Sequence, residues 1–177
     1  MNRYVALLRG INVGRAKRVA MADLRGMMGT LGHANVRTVL NSGNAVFDAQ
    51  GGTAVSHASR MQAAFAEAFG FSSQIVVKTA AEFASAIADN PLLGTATDPS
   101  RLLLAFTQEK STLPGLAGLA KTDWSPDAFA LGKHAAYLWC ADGVLESRLA
   151  KDAGRQLGEL GTTRNWATVQ KIGQLLA

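Results

Sequence analysis

The chain has one cysteine, Cys140, in 177 residues. No intrachain disulfide can form, and so low a count fits a reducing compartment. Cys140 follows Leu138 and Trp139 and precedes Ala141. That strand-like setting reads as a small core residue rather than a nucleophile. Aromatic residues are scarce, at 7%. No apolar run approaches the ~20 residues of a membrane-spanning helix. The opening residues, MNRYVALLRG, run straight into strand-like sequence, without the basic, long-apolar, small-residue pattern of an export signal. These absences lead us to expect a soluble cytoplasmic protein with no membrane partner.

Catalytic templates are missing too. There is no H-E-x-x-H, C-x-x-C or G-x-S-x-G, so zinc protease, dithiol and nucleophile-elbow chemistries lack their sequence signatures. His33, His57 and His134 lie near expected helix ends or a turn, and none has a His or Cys at ligand spacing. They read as surface residues, and neither a metal nor a cofactor is expected. Asp23 and Asp48 are the acids nearest the basic segment described below. Asp23 reads as a helix cap and Asp48 as a strand end, so no residue is assigned as a general base. Catalysis is left open.

What the chain does have is uneven charge. Residues 1–43 carry seven Arg or Lys against one Asp, residues 44–147 six against ten acidic groups, and residues 148–177 five against two. The net +5 is therefore concentrated at the two ends. Where such ends meet, they form a positive surface on a weakly charged body.

Hydrophobic periodicity supplies the elements. YVALLRG is a near-continuous apolar run, the pattern of a strand buried on both faces. Met21, Leu24, Met28 and Leu31 form a helical stripe closed by Gly32. VRTVLNSGNAVFDA reads as two strands about an Asn-Ser-Gly-Asn turn. A helix with Met61, Phe65 and Phe69 on one face and the strand QIVVKT follow. The order β-α-β-β-α-β is that of a ferredoxin-like unit. Downstream come a helix ended by Pro91, the strand RLLLAFT, a glycine-rich helix or turn, a hairpin about Gly132-Lys133, and the helix LESRLAKDAG. A last helix carries Trp166, Val169, Ile172 and Leu176, with Thr163 or Asn165 as its cap. This half resembles the first in element order, with its last strand undefined. The expected fold class is α+β: two ferredoxin-like subdomains, residues 1–78 and 79–177, packed together, the second incomplete or irregular. A chain this long buries roughly 70% of its unfolded surface, enough for a core without covalent staples.

In that topology the loop after the first strand and the turn between the second and third strands leave the same end of the sheet. Arg9, Asn12, Ser42 and Asn44 therefore come within reach of one another. Gly10 and Gly14 let backbone N–H groups turn toward a ligand, and a helix begins near Val19 or Met21. The spacing matches neither the Walker A pattern nor G-x-G-x-x-G. The loop thus speaks for an anion and not for a nucleotide motif.

YVALLRGINVG, MADLR, LNSGNAVF and TRNWATV together resemble the bacterial domain of unknown function 1697 family, and AIADNP and DGVLESRL add to the likeness. It spans almost the whole chain. The resemblance implies an α+β fold of ferredoxin-like character and carries no activity. Arg9, Asn12, Ser42, Asn44, Ser147, Arg148, Arg164 and Asn165 fall at the family's motif positions. Arg15 stands where the family often has a second glycine, and Val39-Leu40-Asn41 where it commonly has Tyr-Ile-Gln.

The expected function is binding of a small anionic ligand, a nucleotide or phosphorylated metabolite. Arg9, Arg148 and Arg164 would supply charge-assisted hydrogen bonds. Asn12, Ser42 and Asn44 would orient the ligand, the Gly10–Gly14 loop would present amides, and Gly43, Ser147 and Asn165 complete the candidate set. Two alternatives stand beside it. One is a single-stranded nucleic-acid module, whose strands would offer Tyr4 and Phe47 for stacking. The other is a non-enzymatic assembly module, with a homodimer as its simplest form.

Overall fold

The computed structural model describes residues 1–177. The chain divides into two compact units, Met1–Ala81 with Gln174–Ala177, and Glu82–Gly173. The fold is α+β, with one four-stranded antiparallel sheet in each unit.

The first unit contains β1 (Asn2–Leu8), α1 (Met21–Thr30), β2 (Ala34–Thr38), β3 (Asn44–Ala49), α2 (Ala54–Phe69) and β4 (Ile75–Thr79). Its sheet order is β2-β3-β1-β4. Tyr4 lies opposite Phe47 and Thr79, and Ala6 opposite Ala45 and Val77. Side chains alternate faces along a strand. Tyr4, Ala6, Leu8, Phe47, Ile75 and Val77 accordingly share a core with Leu24 and Met28 of α1 and Met61 and Phe65 of α2. Val5, Leu7, Val46 and Val76, on the alternate face, are buried as well. This is why β1 reads as a continuous apolar run.

Helix α2 is closed at both ends. The Thr53 hydroxyl accepts from the Ser56 N–H at 3.1 Å and the Ser56 hydroxyl accepts from the Thr53 N–H at 2.8 Å, a reciprocal capping box. Gly70, at φ +76°, terminates it with its N–H on the Ala66 carbonyl. Helix α1 starts after Ala20, which offers no side-chain cap, and Asp23 lies in its first turn. No helix is long and apolar enough to cross a membrane.

The second unit contains most of α3 (Ala80–Ala88), β5 (Leu102–Thr107), a 3-10 helix (Lys110–Lys121), β6 (Ala128–Leu131), β7 (Ala136–Trp139), α4 (Arg148–Leu157), β8 (Gly161–Asn165) and most of α5 (Trp166–Gln174). Its sheet order is β6-β7-β5-β8. Leu103, Ala105, Leu138 and Cys140 pack against Leu113, Leu116 and Leu119 of the 3-10 helix and Leu149 and Leu157 of α4. Phe106 on the alternate face stacks on Phe83 of α3 at 5.2 Å, and the Tyr137 hydroxyl donates to the Ala86 carbonyl at 2.6 Å.

Strand β8 is the element that hydropathy left undefined. Its residues are Gly161, Thr162, Thr163, Arg164 and Asn165, with no large apolar side chain to mark it. It pairs only with β5, Leu104 lying opposite Arg164. Edge position and two threonines account for a strand without an apolar pattern.

The histidines need correction. His33 and His57 are buried rather than exposed, 6% and 2% accessible. They belong to an aromatic cluster with Tyr4 and Phe47. A helix end and a capping turn look like surface positions in sequence, but here both fold over the end of the sheet.

Candidate functional site: a basic double loop

Strand β1 ends at Leu8, and the next twelve residues, 9–20, form a loop before α1 begins at Met21. Opposite it lies the turn between β2 and β3. The two are joined by several hydrogen bonds. The Leu8 N–H donates to the Gly43 carbonyl at 2.8 Å. The Asn12 amide donates to the Asn41 carbonyl at 2.7 Å and the Val19 carbonyl at 2.9 Å. Its oxygen accepts from the Val19 N–H at 2.8 Å. Asn12 therefore closes its own loop and fastens that loop to the turn. A third segment underpins the first loop: the Arg9 N–H donates to the Gln74 carbonyl at 2.9 Å and the Ser73 hydroxyl to the Arg9 carbonyl at 2.8 Å.

Backbone geometry is concentrated here. Gly10, Asn12 and Gly14 have φ of +73°, +54° and +61°, and Lys17 and Leu40 have φ of +55° and +59°. Leu40 and Lys17 adopt a conformation that side chains normally avoid. At Gly43, φ is +99° and an added Cβ would lie 2.8 Å from the Leu8 Cβ and 3.1 Å from the Leu8 carbonyl oxygen. Only glycine fits, for conformation and for space.

The side chains divide into two groups. Asn44 is buried and its amide donates to the Val39 carbonyl at 2.9 Å and the Ser42 hydroxyl at 3.0 Å. Asn12 and Asn44 are thus framework residues, their amides spent on the loops rather than held out to a ligand. Arg9, Arg15, Lys17, Arg18 and Ser42 are exposed. Arg18 folds back to donate to the Gly14 carbonyl at 3.1 Å, and Lys17 lies 5.9 Å from the centre of the Phe71 ring. No carboxylate occurs before Asp23. Of the exposed cations, Arg15, Lys17 and Arg18 lie beyond the residues singled out from motif positions; the basic run RAKR was their signal.

Gly10, Gly14, Arg9, Asn12, Ser42, Gly43 and Asn44 are brought together in the first unit. The other four candidates belong to the second unit, each with its own setting. Ser147 is buried and caps α4, accepting from the Ala150 N–H at 3.0 Å while donating to Asp127 at 2.7 Å. Arg148 lines a cavity of about 200 Å³ together with Asp123, Asp127, Asp142 and Glu146, a setting that repels anions. Arg164 is buried, donates to the Thr162 hydroxyl at 2.7 Å and the Thr163 carbonyl at 2.8 Å, and burial pushes its guanidinium down to about 10. Asn165 caps α5, accepting from the Thr168 N–H at 2.9 Å.

The alternative chemistries find little support in their expected residues. Tyr4 and Phe47 stack on each other at 5.4 Å beneath the helices, so they offer no platform for bases. Cys140 is buried, and burial raises its thiol above the ordinary value, the reverse of what a nucleophile needs. No three His, Cys, Asp or Glu side chains gather to hold a metal ion.

With this geometry in view, the comparisons with known proteins are clear. Residues 1–137 match the family described as protein of unknown function (DUF1697). The chain belongs to that family. The DUF1697 match covers all of the first unit's loops and runs through β5 and β6 of the second, ending within β7. No curated protein matches the chain. Among solved structures it is similar to conserved bacterial protein SP0830 from Streptococcus pneumoniae, with a TM-score of 0.81, 24% identity and 99% of each chain covered. At that identity the likeness speaks for the fold alone, which both chains share from end to end.

Proposed function

We propose that the double loop of this DUF1697 protein binds a small anionic ligand, a nucleotide or phosphorylated metabolite. The observation that carries the reading is the alternation of left-handed residues at Gly10, Asn12 and Gly14 inside a segment rich in exposed arginine. Alternating φ sign turns neighbouring N–H groups to a common side, the backbone arrangement of anion-binding concavities. The Asn12 N–H donates within the loop, to the Lys17 carbonyl at 3.0 Å, so the amides proposed for the ligand are those of its neighbours. Arg9, Arg15, Lys17 and Arg18 are exposed cations of the same loop, and arginine forms paired, charge-assisted hydrogen bonds with phosphate. Ser42 adds a hydroxyl from the facing turn, while Asn12, Gly43 and Asn44 hold the two segments in register. Ser147, Arg148, Arg164 and Asn165 are left out, since capping, burial or acidic neighbours account for each.

Two wider proposals accompany it. Each unit is read as ferredoxin-like, supported by the orders β2-β3-β1-β4 and β6-β7-β5-β8. The cytoplasm is the proposed compartment, supported by the single, buried, free cysteine.

Thermal-shift measurements with inorganic phosphate, nucleotides and sugar phosphates test the site. A ligand at 100 times its Kd stabilises by ~2.7 kcal/mol, a shift of several degrees. The Arg9→Ala, Arg18→Ala double variant should lose that shift while keeping its unliganded melting temperature. Equal shifts in both proteins, or none in either, would overturn the reading. Binding of oligonucleotides alone, with a steep salt dependence, would favour the nucleic-acid alternative.

A further inference from the structure

At the other end of the first unit's sheet, His33 and His57 form a buried pair with ring centres 5.3 Å apart and planes at 75°. His33 lies 4.3 Å from the Phe47 ring and His57 4.9 Å from the Tyr4 ring. Neither nitrogen of His33 has a hydrogen-bond partner, and the Nδ1 of His57 has none. The Nε2 of His57 meets the Gly51 carbonyl at 3.1 Å, and since a carbonyl only accepts, this nitrogen carries a proton and donates it.

The pair joins two irregular segments. His33 follows the α1 terminus, where Gly32 and Asn35 have φ of +86° and +51°. His57 sits in the first turn of α2 and presses on the Gly51-Gly52 corner, whose φ values are +64° and +73°. An added Cβ at Gly52 would fall 2.9 Å from the His57 ring. Arg60 of α2 ties the same end together, donating to the Leu31 carbonyl at 2.8 Å.

We propose that the His33–His57 pair is an acid-opened latch: neutral, it holds segments 31–35 and 51–57 against the sheet, and protonated, it releases them. A charge arriving on either ring enters an apolar cluster and meets no acceptor at the unpartnered nitrogens. The charged or titratable groups that face it are the other imidazole, Arg60 from α2 and Tyr4 from β1, whose ring packs on His57. On β3 the residue facing it is Phe47, and the adjacent carboxylate, Asp48, is taken up by Arg3 at 2.8 Å and Asn35 at 2.9 Å. No counter-charge is supplied. Burial first, then His57 and Arg60, lower His33 from 6.5 to about 4.

Hydrogen exchange of the whole chain between pH 7 and pH 5 tests this, with rates corrected for intrinsic exchange. Protonation constants of 6.5 released and about 4 latched predict that local opening increases roughly twentyfold from pH 7 to pH 5. The rise should be confined to segments 31–35 and 51–57, with β1 and β3 unchanged. His33→Phe, or His33→Leu where the larger ring disturbs folding, should remove it. An NMR titration of wild type should find His33 well below the ordinary histidine range. Titration near 6.5, exchange that rises uniformly, or an unchanged acid response in both variants would overturn the latch. None of these outcomes bears on phosphate binding, which is read at the other end of the unit.

Discussion

The two units lay four strands in the same order and differ in how they join them. Between β1 and α1 the first unit spends twelve residues, 9–20. Between β5 and its 3-10 helix the second spends two, Gln108 and Glu109. The long connection is basic and holds Gly10, Asn12, Gly14 and Lys17 in left-handed conformations. The short one carries an acid. At the opposite sheet end the contrast reverses. The first unit fills its corner with His33 and His57, while the second leaves a cavity of about 200 Å³ edged by four carboxylates and Arg148. A common sheet thus supports different chemistry at each end, and the difference lies in connections rather than in strands.

The comparison can be broken first at its hairpin turns. Gly43→Ala combines a left-handed φ with a Cβ 2.8 Å from Leu8, and should cost about 2–5 kcal/mol. Gly132→Ala meets equal crowding from Ala135 and Tyr137 but lacks the positive φ, so about 1–3 kcal/mol is expected. Urea denaturation of the two variants measures the gap. The next effect depends on pH. His33 has a folded-state value depressed from 6.5 to about 4, so the unfolded chain binds the extra proton. Stability is complete above pH 6.5 and falls by about 3 kcal/mol as the pH approaches 4. His33→Phe should flatten that slope in denaturation curves, while a substitution in the second unit should leave it intact. Removing Asn12, whose amide makes three hydrogen bonds, should cost about 2 kcal/mol. Ser147→Ala, losing one cap and one bond to Asp127, should cost about 1 kcal/mol.

How much of this was legible in sequence follows from where hydropathy has a signal. Strands β1 and β5 and helix α2 declare themselves by apolar run or stripe. The meeting of the first loop with the Asn-Ser-Gly-Asn turn followed from element order, and the bond from Asn12 to the Asn41 carbonyl is its physical form. Strand β8 was hidden because Thr-Thr-Arg-Asn has no apolar period. His33 and His57 were misjudged because capping turns look exposed until the sheet end they cover is known. The roles of Asn12 and Asn44 were beyond sequence as well. An asparagine that braces a loop and one that reaches for a ligand are the same letter, and only the carbonyls around it decide.

The smallest expected change in stability belongs to the residues proposed to bind the anion. Arg15, Lys17 and Arg18 are exposed. Arg18 makes one exposed hydrogen bond, to the Gly14 carbonyl. Replacing each by Ala should therefore move unfolding by less than ~0.5 kcal/mol. Their effect on a bound anion differs in kind. Each removes a positive charge from a loop that has no carboxylate, and a hydrogen bond to a charged group is worth about 1.5–3 kcal/mol. Arg18→Ala should thus weaken phosphate binding by roughly tenfold or more while leaving the unliganded melting curve in place. Lys133→Ala, an exposed cation in the β6–β7 turn of the second unit, should change neither. Titration calorimetry with inorganic phosphate on the three proteins separates the cases. Equal affinity in wild type and Arg18→Ala would mean that the loop's charge serves solubility, and that its left-handed backbone exists to join two turns rather than to receive a ligand.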